Sequence, residues 1–238
     1  MPAGYGRILL KLSGEALAGP GEPVDAEACV PLARQIGQLQ RTGVAIAIVV
    51  GGGNLYRARK GFFSQETGDR MGMLATVMNG LALAELLERQ DVPCSLLGAF
   101  PAGIGVEVAG GRRAMEQLAA GRVVIFCGGT GQPYLTTDTA AALRALEIGA
   151  DVLFKASSID GIYAEDPRIG PQSRRFRKIS FDEALSRRLA VMDGTAFCLC
   201  RDNGLPIVVF PMRQPDALLR AARGEEVGTL VAANLATE

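Results

Sequence analysis

Short apolar runs rich in β-branched residues alternate along this chain with longer segments of helical spacing. The runs predict strands over 7–12, 44–50, 94–99, 122–127, 151–155, 206–210 and 229–232. Between the first two, Ala28, Val30, Leu32, Ile36 and Leu39 recur at helical spacing and predict a helix over 26–41. Met71, Leu74, Val77, Met78, Leu81, Leu83, Leu86 and Leu87 predict a long, mostly buried helix from Gly68-Asp69 to Gln90. Further helices are expected over 112–120, 138–148, 181–190, 193–203 and 215–223. The glycine-rich piece 101–111 reads as irregular, and 156–178 as a long polar surface loop. Strand–helix alternation of this kind predicts a three-layer α/β/α fold with a central, mainly parallel sheet. No repeat or linker divides the chain, so a single domain over 1–238 is expected.

Three of the predicted strands end in glycine-punctuated turns. They are Arg7-Ile-Leu-Leu-Lys-Leu-Ser-Gly-Glu15, Val44-Ala-Ile-Ala-Ile-Val-Val-Gly-Gly-Gly-Asn54 and Arg122-Val-Val-Ile-Phe-Cys-Gly-Gly-Thr-Gly131. A buried strand followed by small residues brings bare backbone N–H groups up to an anion. With a lysine in the first and Thr136-Thr137-Asp138 after the third, the set points to phosphate chemistry. The P-loop pattern GxxxxGK[ST] is absent.

Several individual residues carry two readings. Lys11 is either an exposed strand-end charge or, beside the Ser13-Gly14 turn, a phosphate ligand, since an unpaired buried charge is costly. Gly51-Gly52-Gly53-Asn54 with Arg57 offers close backbone approach and a planar five-donor fork. Asp138 either caps the helix that begins there or orients Lys11 or magnesium-bound phosphates. Asp69 is likewise a helix cap or an acceptor for sugar hydroxyls. Lys155 to Tyr163, running into Asp166-Pro167, suits a purine nucleotide; a packed surface aromatic is the plainer account of Tyr163.

Composition narrows the chemistry. The 238 residues carry 25 Lys plus Arg against 25 Asp plus Glu, so no global field recruits nucleic acid or membrane. Histidine is absent, which excludes histidine bases, triads and metal sites. Five cysteines without a CxxC pair resemble neither a disulfide framework nor a zinc site. No signal peptide or membrane-length apolar run is read, so a cytoplasmic setting is expected.

These motifs together resemble the bacterial uridylate kinases of the amino acid kinase superfamily, across almost the full chain. The carrying stretches are RILLKLSGEAL, VVGGGN-L-Y-R, GDRMGMLATVMNGLAL, GGTG-Q-P-Y-L-TTDTAAALRA and IDGIYAEDP, then VMD, RDNGLPI and GTLV. The resemblance implies an amino acid kinase-like fold and magnesium- and ATP-dependent phosphorylation of UMP to UDP, in pyrimidine nucleotide biosynthesis. It implies catalytic roles for Lys11, Arg57 and Asp138, and no metal ligand. Lys11, Leu12, Ser13, Gly14, Gly53 and Arg57 would meet the ATP phosphates, and Ser157, Tyr163 and Asp166 the adenosine. Gly52, Asp69 and Thr130, Gly131, Gln132, Pro133, Tyr134, Leu135, Thr136 and Thr137 would meet UMP. Homohexamers and GTP or UTP effectors are implied too. The chain departs from the family at Gln132, Tyr134 and Leu135 (family TGNPFFTT) and at Ser158, where relatives carry a second lysine. It departs also across 100–111 and in the short segment 19–24. Two alternatives stand beside this reading: a kinase of another small acceptor on the same scaffold, and a catalytically reduced nucleotide-binding paralogue.

Overall fold

The computed structural model describes residues 4–57, 62–165, 173–189, 192–233, 235 and 237. Strand β1 (Arg7–Leu12) leads through a 3₁₀ turn (Gly14–Ala16) to α1 (Ala26–Gln40), β2 (Ala45–Val50) and α2 (Gln65–Glu88). Then come β3 (Cys94–Gly98), β4 (Glu107–Val108), α3 (Gly111–Ala119), β5 (Val123–Cys127), α4 (Thr137–Glu147) and β6 (Val152–Ser157). The rest is β7 (Lys178–Ser180), α5 (Phe181–Ser186), α6 (Gly194–Asp202), β8 (Ile207–Pro211), α7 (Ala217–Ala222) and β9 (Thr229–Ala232). The strands form one nine-stranded sheet in the order β4-β3-β5-β2-β1-β6-β8-β9-β7. Every pairing is parallel except β8 with β9.

The period of two along β1 sorts the molecule into layers. Ile8, Leu10 and Leu12 face a core completed by α1, α2 and α7. Leu9 faces a second core completed by α3, α4, α5 and α6. Both faces of the central strands are thus buried, which is why they read as unbroken apolar runs rather than alternating ones. Lys11 shares the side of Leu9, the α4 side. By length and a mean hydropathy of 1.2, α2 could cross a membrane. Here it is a core helix, with Val77, Leu83 and Leu87 packed against the sheet and Asn79 fully buried.

Some expectations need correction. Strand β4 lies inside the piece 101–111 expected to be irregular, and β7 begins at the end of the expected loop 156–178. Both are short strands at the two edges of the sheet, too brief to leave a periodic signal. Helix α2 starts four residues before Asp69, capped by Ser64, whose hydroxyl accepts from Thr67 N–H at 3.2 Å. Helix α4 is capped by Thr136, whose Oγ1 accepts from the N–H groups of Asp138 (3.1 Å) and Thr139 (3.3 Å). Neither Asp69 nor Asp138 is a cap, so both carboxylates are left for other work.

Candidate active site

Strand β1 lies between β2 on one side and β6 on the other, so the chain's connections diverge there. In open α/β sheets the crevice beyond the carboxyl ends of such strands is where ligands bind. Lys11, near the end of β1, pairs in register with Lys155 of β6. The shared register turns both side chains toward the first turn of α4, where Asp138 sits. Asp138 Oδ1 is 3.0 Å from Lys11 Nζ, and Lys155 Nζ donates to Asp138 Oδ2 at 2.6 Å. The three side chains keep only 11%, 12% and 13% of their surface for Lys11, Lys155 and Asp138 respectively.

Burial works to raise the Asp138 pKa, but the charges of Lys11 and Lys155 outweigh it and hold the carboxyl below its usual range. For Lys155, burial and the Lys11 charge together pull the ammonium below the usual lysine value against the opposing pull of Asp138. One carboxylate therefore holds two ammonium groups side by side at the sheet end, beside a helix N-terminus. That arrangement suits an anion bridging them. If Lys155 must be charged to act, kcat/KM should fall on the alkaline side with an apparent pKa below the ordinary lysine value of about 10.4. A pH–rate profile flat up to that value would contradict this.

Next to the cluster is a cavity of about 270 Å³ lined by Gly52, Gly53, Tyr56, Gly68, Asp69, Gly72, Met73, Thr76, Gly129, Thr130, Leu135, Thr136 and Thr137. Its floor requires glycine: a Cβ on Gly52 would stand 2.7 Å from the Gly72 carbonyl and 2.9 Å from Ala75 Cβ. Gly128, at φ +79°, turns its N–H to Thr76 Oγ1 at 2.7 Å. So α2 grips both the β2 and the β5 turn. Of the residues expected around UMP, Gly52, Asp69, Thr130, Leu135, Thr136 and Thr137 line this cavity, whereas Gly131, Gln132, Pro133 and Tyr134 do not. Asp69 Oδ2 accepts from Tyr134 N–H at 2.7 Å, fixing Tyr134 in a left-handed turn at φ +69° while the residue stays 65% exposed. Thr136 is already committed, since its hydroxyl also bonds to Asp193, which accepts from Thr139 Oγ1 and caps α6 at Ala196 N–H (2.9 Å). Leu135→Phe is accordingly expected to change KM for a nucleotide in this cavity, and Gln132→Asn to leave it within about twofold; steady-state kinetics on the two single variants check this.

The residues expected at the donor phosphates lie around the β1 and β2 turns. Ser13 precedes the 3₁₀ turn without making a cap hydrogen bond, and Gly14 packs against Gly53 and Asn54. Leu12 has its side chain fully buried and its carbonyl taken by Gly51 N–H (2.9 Å), so it serves as support. Arg57 stands at the rim with its side chain 72% exposed, its Nε donating to the Gly53 carbonyl (3.1 Å) and its guanidinium paired with Glu15. It is not joined to the lysine cluster. Ser157 ends β6, its hydroxyl accepting from Ile159 N–H at 3.2 Å. Tyr163 donates its hydroxyl to Asp160 (2.6 Å), which also pairs with Arg175 (3.0 Å), and the Asp160 bond raises the phenol pKa. Asp166 lies outside the described residues.

Residues 6–211 match the amino acid kinase family. The uridylate kinase of Legionella pneumophila strain Paris is 48% identical over 234 residues, 97% of this chain and 95% of that protein. The uridylate kinase of Pseudomonas aeruginosa strain PAO1 is 48% identical over 231 residues, 95% of this chain and 94% of that protein. Among solved structures, UMP kinase from Bacillus anthracis is similar with a TM-score of 0.95 at 32% identity, covering 99% of both chains. UMP kinase from Ureaplasma parvum gives 0.90 at 33% identity, over 95% of this chain and 98% of that one.

Proposed function

Because this chain belongs to the amino acid kinase family and is nearly half identical to uridylate kinases over almost its whole length, we infer that it transfers the terminal phosphoryl group of ATP to UMP, forming UDP. The observation that carries the reading is the Lys11–Asp138–Lys155 cluster, whose Asp138 follows directly on Thr136 and Thr137 in the wall of a cavity floored by glycine. A nucleoside monophosphate has a second phosphate pKa of about 6, so at neutral pH the acceptor is already a dianion and needs no general base. The absence of histidine therefore costs the reaction nothing. What remains is to bring two polyanions together and stabilise the charge on the equatorial oxygens of the transferring group. Lys11 and Lys155 supply the positive charge, and Asp138 fixes where it sits.

Magnesium enters this reading as a companion of ATP. The described residues contain no cluster of three or more Asp, Glu, His or Cys able to hold an ion, and Asp138 is taken by two lysines. An ion carried on the phosphates fits that donor set better than one held by the protein, and no step here is routed through it. A cytoplasmic setting accords with five unpaired cysteines, four of them buried. Self-association is proposed through the outer face of α2, where Leu74 and Met78, one turn apart, stay 56% and 57% exposed. The particle mass in solution tests it, and a monomer would contradict it. GTP and UTP belong in the same assays as candidate effectors.

Phosphorus NMR of the purified protein with ATP, magnesium and UMP tests the activity itself. The two phosphate resonances of UDP should grow in as ATP is converted to ADP. ATP loss to ADP and inorganic phosphate alone would contradict transfer to UMP.

A further inference from the structure

The stretch GDRMGMLATVMN contains a residue that the cluster chemistry leaves unexplained: Asn79, fully buried in the middle of α2. Burying an amide is unfavourable unless its donors and acceptor are all met. Here they are met by partners that matter. Asn79 Nδ2 donates to the Gly51 carbonyl and to Asn54 Oδ1, both at 2.7 Å. Asn54 Nδ2 donates back to Asn79 Oδ1 at 3.1 Å and to the Pro23 carbonyl at 2.5 Å. The orientation of each amide is dictated, because Gly51 and Pro23 present only carbonyl oxygens to it and each therefore needs the NH₂ end.

The partners are the turns of the candidate site. Gly51 opens the turn after β2, and its own N–H bonds to Leu12 at the end of β1 (2.9 Å). Gly14, in the turn after β1, has its Cβ position filled by the Asn54 amide, and a Cβ there would also lie 2.8 Å from Gly53 N. The amide pair thus sits where the two turns touch, with the segment before α1 tied to the same point.

We infer that Asn79 is a positioning residue for phosphoryl transfer, acting through Asn54 to hold the turn after β2 against the turn after β1. The inference rests on the kinase reading above and deepens it. Neither side chain need touch a substrate. In a reaction whose catalysis is alignment, a shift of about 1 Å between the two turns suffices to lower the rate by as much as 10²-fold. Simple core filling would call for an apolar residue of similar volume and would leave turnover untouched.

Asn54→Ala, Asn79→Ala and the double variant test this. Each single variant should lose at least about tenfold in kcat, with both KM values within about threefold of wild type. The double variant should be no slower than Asn79→Ala, because the two amides act as one unit. Amide hydrogen exchange across 51–57 should quicken in the same variants while the central strands stay protected. A folded Asn54→Ala protein with wild-type kcat and unchanged exchange would overturn the inference, as would single effects that multiply in the double variant. Should Asn79→Ala fail to fold, Asn54→Ala decides alone, since it removes the same tie from a half-buried turn. UDP formation by wild type reports separately on the kinase reading; if it fails, the exchange rates still decide the role of the amide pair.

Discussion

Alanine in place of Lys11 is expected to lower kcat for phosphoryl transfer by about 10²–10³-fold while the protein stays folded. The size follows from losing one preorganised charge at the transferring group, comparable to the loss of an oxyanion-hole donor. Folding should survive because Asp138 keeps Lys155 at 2.6 Å, so no carboxylate is left buried and alone. Lys11→Arg should not rescue the rate, since a planar fork cannot replace a point charge in so closed a site. Steady-state rates and melting curves on the same preparations check both halves. Near-normal turnover from a folded alanine variant would reduce Lys11 to a strand-end charge.

Asp138→Asn should damage stability as well as rate. The side chain is not the helix cap, so the cap survives, but two nearly buried ammonium groups lose their shared counter-charge. Removing one partner of a fully buried ion pair costs about 3–5 kcal/mol, and the residual exposure of these groups makes the lower end the expectation. The pH dependence has a definite sign. The Asp138 carboxyl is held below its usual range, so its contribution is complete above the unfolded carboxyl pKa of about 3.9 and is lost as pH falls through the folded value. Wild type and variant should therefore converge in stability in acid and differ most near neutrality. The alkaline limb of kcat/KM should also move to lower pH, because Lys155 loses the larger of the carboxylate charges, Asp138 and Asp193, that favour its own. An Asp138→Asn protein that melts and turns over like wild type would dismiss the cluster.

Much of the fold is written in local pattern. The central strands are buried on both faces and announce themselves as apolar runs, and α2 carries apolar residues nearly all round. Strands β4 and β7 escape because a short edge strand has too few residues for a period. Lys11, Gly52 and the Thr136-Thr137-Asp138 run were legible because a turn after a strand constrains its residue types. Their partnership was not. Lys155 stands out only as a charge at a strand end, and nothing local says that it lies in register with Lys11. Asp138 and Asp69 read as caps because capping is the commonest use of an acid at a helix start. Only the true helix boundaries at Ser64 and Thr136 free them. Gln132 and Tyr134 are expected beside the nucleotide because their neighbours are; the left-handed turn at Tyr134 sets both outside the lining of the cavity, on the exposed surface.

The identity of the phosphoryl acceptor decides the function of this chain. The most direct measurement compares kcat/KM for UMP, CMP, dUMP and a small carboxylate under one set of conditions, with ATP and magnesium. UMP should exceed every other acceptor, with the carboxylate unreactive because it would leave most of the cavity of about 270 Å³ beside Asp69, Thr130 and Leu135 unfilled. A higher kcat/KM for any other acceptor, or no turnover of UMP, would contradict the account.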